Sequence, residues 1–269
     1  VLGPILLVMY INDLPDYVKS DVKMFADDTK LYRHIRDEHD NDILQEDLNN
    51  LQTWSETWLL RFNATKCKRM HMGHSNEGVG YRLGEEEIPH DTEEKDLGVI
   101  ITEDGKTSKQ CAAATKKVMT KLRIIKRSFK YFDKMCFTML YKTYIRPQLE
   151  YCIQAWSPGL RKDIDMMEKV QRRATKLIPS LRSKPYHDRL EELKLYSLEQ
   201  RRLRGDLIEA YKILNGLEGI EESKLFQRRT HIQLRGHKDK LFKPALKKGL
   251  NTRKNFFSIR VIKEWYRLP

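Results

Sequence analysis

The chain has 269 residues, of which 40% are hydrophobic and 33% are charged. This composition is typical of a globular protein and excludes a disordered one. The longest apolar stretch runs from Val1 to Ile11, is interrupted by Gly3 and Pro4, and is too short to cross a bilayer. We therefore interpret it as an element buried in a folded domain and expect no membrane contact.

The net charge of +13 is distributed unevenly along the chain. Residues 1–107 carry a net charge of −10, whereas residues 108–269 carry a net charge of +23. Such asymmetry indicates contact with nucleic acid or a membrane surface, although a solvated helical face explains many cationic stretches. Aromatic residues are interleaved with the cations of the basic half, and we expect burial for most of them: Tyr131, Tyr144, Trp156, Tyr211 and Trp265.

The cysteines stand far apart, with no C-x-x-C pair and no histidine at zinc-binding spacing. Disulfide frameworks and zinc sites both need closely patterned ligands. We therefore expect neither, and we expect the reducing environment of the nucleus and cytoplasm. The residues concerned are Cys67, Cys111, Cys136 and Cys152.

The acidic half is predicted to mix strands with one clear helix. Alternation over residues 22–26 predicts a strand, Asp27-Asp28-Thr29 predicts a turn, and Leu31-Tyr32 begins the return strand. Apolar residues then recur at helical spacing from Asn41 to Phe62, which predicts an amphipathic helix.

Two further elements complete this half. The glycine-containing stretch from Gly73 to Gly84 predicts a loop or hairpin. A short strand is predicted at residues 97–101, and the turn-like pair Asp104-Gly105 closes it.

The basic half is predicted to be helical from Ser108 onward. A first helix carries an apolar stripe between Val118 and Phe129, with lysines and arginines on its other faces. A second runs from Met135 to Ile145 and is expected to end there, because Pro147 disfavours helix in the residue before it.

Two more helices follow. The third carries apolar residues from Ile164 to Leu177 and ends at Pro179. The fourth opens with the capping-box spacing of Ser197 to Gln200, and Gly216 is its expected end. Its apolar stripe, which we assign to core packing, consists of Leu203, Leu207, Ala210 and Leu214.

The chain is therefore expected to have an α+β fold made of three segments. Residues 1–107 form a small mixed portion, and residues 108–216 form a basic helical portion. Residues 217–269 are basic and polar, and their pattern assigns no clear element.

The adjacent carboxylates Asp27 and Asp28 are the residues that point most directly to chemistry. Mg²⁺ takes hard oxygen ligands, commonly one or two carboxylates together with phosphates and water. In two-metal phosphoryl transfer, a pair of such ions stabilises the attacking and leaving oxygens. Asp is also a common turn residue for purely structural reasons, so the pair gains its meaning from the segments around it.

The order of these segments resembles the palm of reverse transcriptases encoded by non-LTR (LINE-type) retrotransposons, of the jockey and chicken-repeat groups. Phe25-Ala26-Asp27-Asp28 matches the Tyr/Phe-x-Asp-Asp motif of that family. The quoted segments are residues 1–15 (VLGPILLVMYINDLP), 22–32 (VKMFADDTKLY), 62–66 (FNATK) and 95–99 (KDLGV).

The resemblance implies roles for particular residues. Asp27 is the implied catalytic ligand of Mg²⁺ or Mn²⁺, and Asp28 is the supporting carboxylate. Lys66, in an Asn-x-x-Lys match, is implied to lie near the incoming nucleoside triphosphate, and Leu97-Gly98 resembles the hairpin that supports the primer end.

The basic half resembles the helical thumb of the same family. The matching stretches lie at residues 141–156, 168–174 and 201–207, and residues 256–269 resemble a segment further toward the C-terminus of the family. A thumb holds the template–primer backbone, whose phosphates attract Lys and Arg. The cations implied to make such contacts are Lys117, Lys121, Arg123 and Arg127.

The resemblance therefore implies an RNA-directed DNA polymerase that uses an RNA template, a DNA primer and deoxynucleoside triphosphates. The family's earlier palm strand, with its other metal-binding Asp, has no match in the chain, so we expect the chain to be inactive by itself. Two alternatives remain open. One is a non-catalytic, basic nucleic-acid-binding remnant of a mobile element, and the other is an inert product of a decayed gene copy.

Overall fold

The computed structural model describes residues 2–73, 76, 78–229, 239–245 and 252–268. The glycine-containing stretch after Gly73 and the basic stretch from residue 217 therefore lie partly outside the described residues. The strands are β1 (Asp21–Phe25), β2 (Asp28–Tyr32), β3 (Arg82–Leu83), β4 (Glu86–Glu87), β5 (Glu93–Asp96) and β6 (Val99–Thr102). The α-helices are α1 (Leu2–Tyr10), α2 (Glu38–Thr57), α3 (Ser108–Ser128), α4 (Lys134–Leu140), α5 (Arg146–Glu150), α6 (Ile153–Trp156), α7 (Arg161–Thr175), α8 (Tyr186–Glu192), α9 (Leu198–Leu214) and α10 (Phe257–Trp265).

The chain divides into two compact units, Val1–Glu94 and Lys95–Pro269. The strands of the described part pair only as two-stranded sheets, β1 with β2, β3 with β4, and β5 with β6. Within that part, no helix is both long enough and apolar enough to span a bilayer.

Helix α1 corrects the expectation of a buried N-terminal element. None of its residues is buried, and Met9 is 70% exposed. Only Leu7 of this helix packs against the nearby core of Ile11, Leu14, Leu51 and Trp54. Tyr10, at the end of α1, packs edge-on against the Trp58 ring and donates to the Trp58 carbonyl, while most other apolar side chains of the helix are exposed.

The β1–β2 hairpin confirms the predicted strand, turn and return strand in outline. The strands are antiparallel, with Val22 opposite Leu31 and Phe25 opposite Asp28. Val22, Met24 and Leu31 pack against the core next to Trp54, while the alternate residues face solvent. Alternation thus gives the hairpin one apolar face, and that face fixes its register against α2.

Helix α2 holds both strands of the hairpin at the end opposite the turn. Asp47, which is 0% exposed, accepts hydrogen bonds from the backbone N–H groups of Lys19 (2.8 Å) and Ser20 (2.9 Å), just before β1. Asp40, in the first turn of α2, accepts from Arg33 Nε (2.8 Å), just after β2. Two buried carboxylates on one helix therefore fasten the base of the hairpin.

The same helix also holds the β3–β4 hairpin. The Gln45 side chain accepts from the backbone N–H of Arg82 (2.9 Å) and donates to its carbonyl (3.0 Å). Asn41 accepts from the Tyr81 hydroxyl at 2.8 Å. Helix α2 is thus the central element of the first unit.

In the second unit, α3 and α7 form the centre of the larger core. Val118 and Leu122 of α3 meet Met167, Val170 and Ala174 of α7 among the buried residues. This arrangement confirms the apolar stripes predicted for the first and third helices. Phe129, at the end of the α3 stripe, is exposed because α3 has already ended at Ser128.

The second predicted helix extends further than expected. Helix α4 passes through a π-helical stretch at Tyr141–Ile145 and continues as α5 to Glu150, beyond Pro147. Proline interrupts a helix because it lacks an N–H and crowds the preceding turn. The wider π turn accommodates this, and Pro147 occupies the first turn of α5, where its missing donor costs little.

Helix α9 begins as predicted, with both bonds of the Ser197–Gln200 capping box formed and Gly216 in the left-handed region just beyond its end. The residues buried on this helix differ in part from the predicted apolar stripe. Ala210 and Leu214 are buried as predicted, but Leu203 is exposed, while Arg202 and Asp206 are buried. The predicted core stripe is therefore wrong at Leu203, because the face of α9 toward the interior carries charged residues there.

An ion pair anchors α10 to α9. Arg260 Nε and Nη2 each lie 2.8 Å from a carboxylate oxygen of Asp206. The same guanidinium donates to the carbonyls of Asn255 (2.7 Å) and Gln154 (3.1 Å). The Arg260 guanidinium thus joins α6, α9 and α10 at one point.

We expect Asp40→Asn to lower the free energy of unfolding at neutral pH. The side-chain hydrogen bond from Arg36, followed by smaller contributions that include Arg33, holds the pKa of Asp40 well below its usual range. A depressed carboxyl pKa stabilises the fold above the unfolded value of about 3.9 and loses that effect as the pH falls further. The difference between wild type and Asp40→Asn in urea unfolding should therefore shrink below about pH 4.

The matched control is Asp42→Asn, because Asp42 lies exposed on the same helix and its side chain forms no hydrogen bond or ion pair within the described ranges. Its unfolding free energy should follow wild type at every pH. An Asp40→Asn difference that stays constant down to strongly acidic pH would contradict the proposed clamp.

We expect Arg260→Met to destabilise the second unit by about 3 kcal/mol, because it leaves the buried Asp206 carboxylate without its partner. Urea unfolding measures the change. Arg267→Met removes an exposed ion pair with Glu264 and should cost no more than about 1 kcal/mol. Equal effects of the two substitutions would show that the Arg260 contact is not an anchor.

Candidate functional site

The tip of the β1–β2 hairpin carries the two candidate carboxylates. The turn consists of Ala26 and Asp27, and Asp28 already belongs to β2, so the turn lies one residue earlier than the predicted Asp27-Asp28-Thr29. Ala26 has φ +52°, in the left-handed region that glycine usually supplies in two-residue hairpin turns. The tight turn places Asp27 at the apex and Asp28 opposite Phe25.

Both carboxylates are exposed, and within the described ranges neither forms a hydrogen bond or ion pair. The oxygens are therefore available to an external ligand. Among the residues that the structure describes, no group of three His, Cys, Asp or Glu side chains is placed to hold a metal ion. The hairpin tip thus offers two hard oxygen donors, and the described part of the chain adds no third His, Cys, Asp or Glu ligand to them.

Lys66 lies in a short 3-10 turn, Ala64–Lys66, that begins after Asn63. Asn63 organises this turn, because its side chain accepts from the Thr65 hydroxyl (2.6 Å) and its carbonyl accepts from the Lys66 N–H (3.0 Å). Phe62, just before it, packs in the same core as Val22 and Met24 of β1. The turn and the hairpin thus share one core, and the Lys66 side chain is exposed.

Leu97 and Gly98 form a tight turn, which corrects their expected place in a strand. They connect β5 to β6, with φ of +43° and +85°, as in a type I′ hairpin turn. The Tyr151 hydroxyl donates to the Leu97 carbonyl at 2.8 Å. A Cβ at Gly98 would lie 3.5 Å from the Tyr151 ring, so the turn rests against that side chain.

The four candidate cations of α3 lie on its solvent side. Lys117 and Lys121 are one turn apart, and so are Arg123 and Arg127, which gives two short cationic rows. Lys121 is half-buried and the others are exposed. None of the four has an acidic partner among the described residues, so their charge is available to anionic ligands.

The aromatic residues of the basic half divide into two groups. Trp156 and Trp265 are buried, as expected. The expectation of burial is wrong for Tyr131, Tyr144 and Tyr211, which are exposed. Each tyrosine lies on a helix or loop face that no described element covers.

Some residues that position the site were not identified from the sequence. Tyr151 supports the Leu97 carbonyl from a distant position in the chain, and no local pattern indicates that contact. Asp47 could have been identified from the sequence. It falls on the apolar face of α2 between Leu44 and Leu51, where a buried acidic residue needs a specific hydrogen-bond partner.

Comparison with known proteins points in one direction. Over 207 residues the chain is 23% identical to the RNA-directed DNA polymerase from mobile element jockey of Drosophila melanogaster. The match takes in 72% of this chain and 22% of the relative's length. No family model and no solved structure matches the chain. The similarity supports a relation to the polymerase of a mobile element, as the sequence motifs indicated.

We expect Tyr151→Phe to cost about 1 kcal/mol, because the Leu97 carbonyl loses its hydrogen bond while the ring contact at Gly98 is kept. Urea unfolding, together with amide hydrogen exchange in β6, measures the loss. Tyr131→Phe is the matched control, since the Tyr131 hydroxyl makes no hydrogen bond in the described part of the chain. Unchanged exchange in β6 of Tyr151→Phe would show that the tyrosine does not support the turn.

Proposed function

We propose that the chain is part of an RNA-directed DNA polymerase and supplies the Asp27 and Asp28 carboxylates of its metal site. The observation that carries this proposal is the hairpin tip itself. Two adjacent, exposed and unpartnered carboxylates stand on a tight turn, within a chain that is similar to a mobile-element polymerase. In this proposal, residues 1–107 belong to the polymerase palm and residues 108–216 to the thumb.

The donor set at the tip fits Mg²⁺ or Mn²⁺, which prefer carboxylate oxygens and keep several positions for water and phosphate. Asp27 is the direct ligand, and Asp28 supports it. When bound, the ion supplies stabilisation of negative charge on the reacting phosphate oxygens. Since the described residues offer no cluster of three ligands, a complete two-metal site needs a further carboxylate, and we expect the isolated chain to be inactive.

The other residues of the chain act on the substrates. The Lys66 ammonium is exposed and offers a positive charge to the incoming triphosphate. The Leu97-Gly98 turn, held by Tyr151, supports the primer end, and the cationic rows of α3 hold backbone phosphates. The substrates in this proposal are an RNA template, a DNA primer and deoxynucleoside triphosphates.

A second candidate function is non-catalytic binding of nucleic acid. The observation that favours it is the net charge of +23 over residues 108–269, with unpaired cations on α3. Such a protein would bind RNA or DNA with an affinity that falls as salt rises, whatever residue stands at position 27. The effect of an Asp27 substitution on primer extension therefore distinguishes the two functions.

We expect Asp27→Asn, introduced into a polymerase polypeptide that contains this chain, to reduce primer extension on an RNA template by at least about 100-fold. A metal ligand contributes several kcal/mol to the transition state, and each 1.4 kcal/mol is tenfold in rate. The dissociation constant for the template–primer should change by less than about threefold, because in this proposal the Ala26-Asp27 turn does not hold the phosphate backbone of the template–primer.

Asp21→Asn is the matched control, since Asp21 begins the same hairpin, is exposed, and changes the charge equally. Its extension rate should equal that of wild type. Extension retained by Asp27→Asn would remove Asp27 from the metal site. An equal loss in both variants would mean that hairpin charge, and not metal ligation, controls the rate.

A further inference from the structure

Helix α9 carries a surface that the proposed function does not use. Charged residues are buried on its inner side, whereas apolar residues lie on its solvent side. The solvent side borders two adjoining depressions, a cationic pit and an apolar groove. Both are lined by Arg204 and Ile208.

The cationic pit lies between α9 and the α5–α6 region and has a volume of about 190 Å³. Its charged walls are Glu150, Arg201, Arg202 and Arg204. Glu150 is already neutralised, because both of its carboxylate oxygens accept from the Arg201 guanidinium. Arg202 and Arg204 therefore leave the pit with an excess of positive charge.

Arg202 is the residue that indicates a ligand. It is 5% exposed, and its buried Nη1 has no hydrogen-bond partner. Two of the three acids whose charge acts on Arg202 are engaged elsewhere: Asp206 binds Arg260, and Glu168 accepts from the Tyr186 hydroxyl and from the Leu198 N–H, whereas the third is Glu199. The Arg202 side chain lines the pit, and its charge adds to the electrostatic attraction that the exposed Arg204 exerts on an anion there.

Two uncharged groups make the pit accessible. Gly205 has no side chain, and a Cβ placed there would meet nothing closer than Gln154 Nε2, at 3.9 Å. The Gln154 side chain makes no hydrogen bond within the described ranges and lines the same pit. An oxyanion in the pit would thus find an amide donor together with the arginines.

The apolar groove next to the pit decides which anion fits. It has a volume of about 360 Å³, and its lining includes Leu203, Leu207, Tyr211 and Trp265. Tyr211 is 54% exposed and presents an aromatic side chain at the groove. Free phosphate would use only the pit, whereas a nucleotide has both an anionic and a flat apolar part.

We propose that this α9 surface binds one nucleotide unit of a single-stranded nucleic acid, with its phosphate in the cationic pit and its base in the apolar groove against Tyr211. Arg204 and Tyr211 lie two turns apart on one face of α9, about 10 Å along its axis, and the two depressions share Arg204 and Ile208 as walls, so one nucleotide can occupy both. Base stacking on an aromatic side chain tolerates any sequence, and the arginines contact only the backbone. The site therefore has little sequence preference.

The inference rests on the nucleic-acid partner of the proposed function and does not depend on the Asp27 chemistry. Loss of extension in Asp27→Asn with no binding at α9 would contradict this inference alone. Binding at α9 in a polymerase whose extension survives Asp27→Asn would contradict the proposed metal site alone.

The first test measures binding of the full chain to a fluorescent single-stranded oligonucleotide at several salt concentrations. Arg204→Ala should reduce the slope of log affinity against log salt by about 0.7, the contribution of one phosphate contact on a single strand. Arg173→Ala is the matched control, because Arg173 is exposed on α7 and has no ion pair in the described part of the chain. Equal slopes for the two variants would overturn the proposal.

Gly205→Ala tests the pit without changing the charge. Alanine has a higher helix propensity than glycine, and the new methyl group meets no close neighbour, so the variant should fold at least as well as wild type. It should weaken binding about tenfold, as expected for one extra methyl group in a shaped pocket. Unchanged affinity would show that the phosphate does not enter the pit.

The base subsite is tested with an oligonucleotide that contains 5-iodouracil, by photocrosslinking and peptide mapping. The crosslink should map to Tyr211, and Tyr211→Ala should weaken binding about tenfold. Tyr144→Ala, at a tyrosine of similar exposure (53%), should leave binding unchanged. The absence of a crosslink at Tyr211 would contradict a nucleotide site. The site would also be contradicted if inorganic phosphate or polyglutamate competed for binding as effectively as the unlabelled oligonucleotide does.

Discussion

The buried carboxylates of α2 determine how the first unit presents its candidate site. Asp47 binds the two backbone amides that precede β1, and Asp40 binds the arginine that follows β2. Charge-assisted hydrogen bonds to buried carboxylates are among the stronger polar contacts in proteins. They fix the hairpin at its base, and within the described residues the Asp27 and Asp28 carboxylates at its tip form no hydrogen bond or ion pair.

The second unit uses buried charge in a different way. Arg260 and Asp206 form an ion pair with two hydrogen bonds, and the carbonyls of Asn255 and Gln154 accept further hydrogen bonds from the guanidinium. Arg202, one turn before Asp206 on α9, lacks such satisfaction. A fully paired charge anchors helices, whereas the buried Arg202 nitrogen leaves its charge uncompensated. This difference distinguishes the anchoring arginine of α10 from the buried arginine of α9.

Local periodicity predicted the elements of the fold well. The β1–β2 hairpin, α7 and the α9 capping box lie close to where the sequence places them, because strand alternation, helical spacing and capping depend on neighbouring residues. The prediction is wrong at the end of α2, which stops at Thr57 and not at Phe62, because Trp58 is already its C-cap. Turn positions were less predictable. Ala26 and Leu97 adopt left-handed conformations that neither residue type favours, and the surrounding strands impose them.

Tertiary burial was the least predictable property. An apolar run such as α1 indicates a buried element, yet what covers a helix depends on distant segments. The same holds for α9, where Leu203 is exposed and Arg202 is buried because the helices packed against α9, which are α6, α7 and α10, decide the environment of each face. The carboxylate pair was found from its motif, but its support by Asp40 and Asp47 required the three-dimensional contacts.

The central claim is that the hairpin tip is a cation-binding end held away from other side chains. Paramagnetic line broadening by Mn²⁺ in the amide NMR spectrum of the chain tests it most directly. The account predicts that the amides from Phe25 to Thr29 broaden first, and that an Asp27→Asn, Asp28→Asn double substitution removes the effect. Broadening that begins at other acidic residues, with the hairpin tip unaffected, would contradict it.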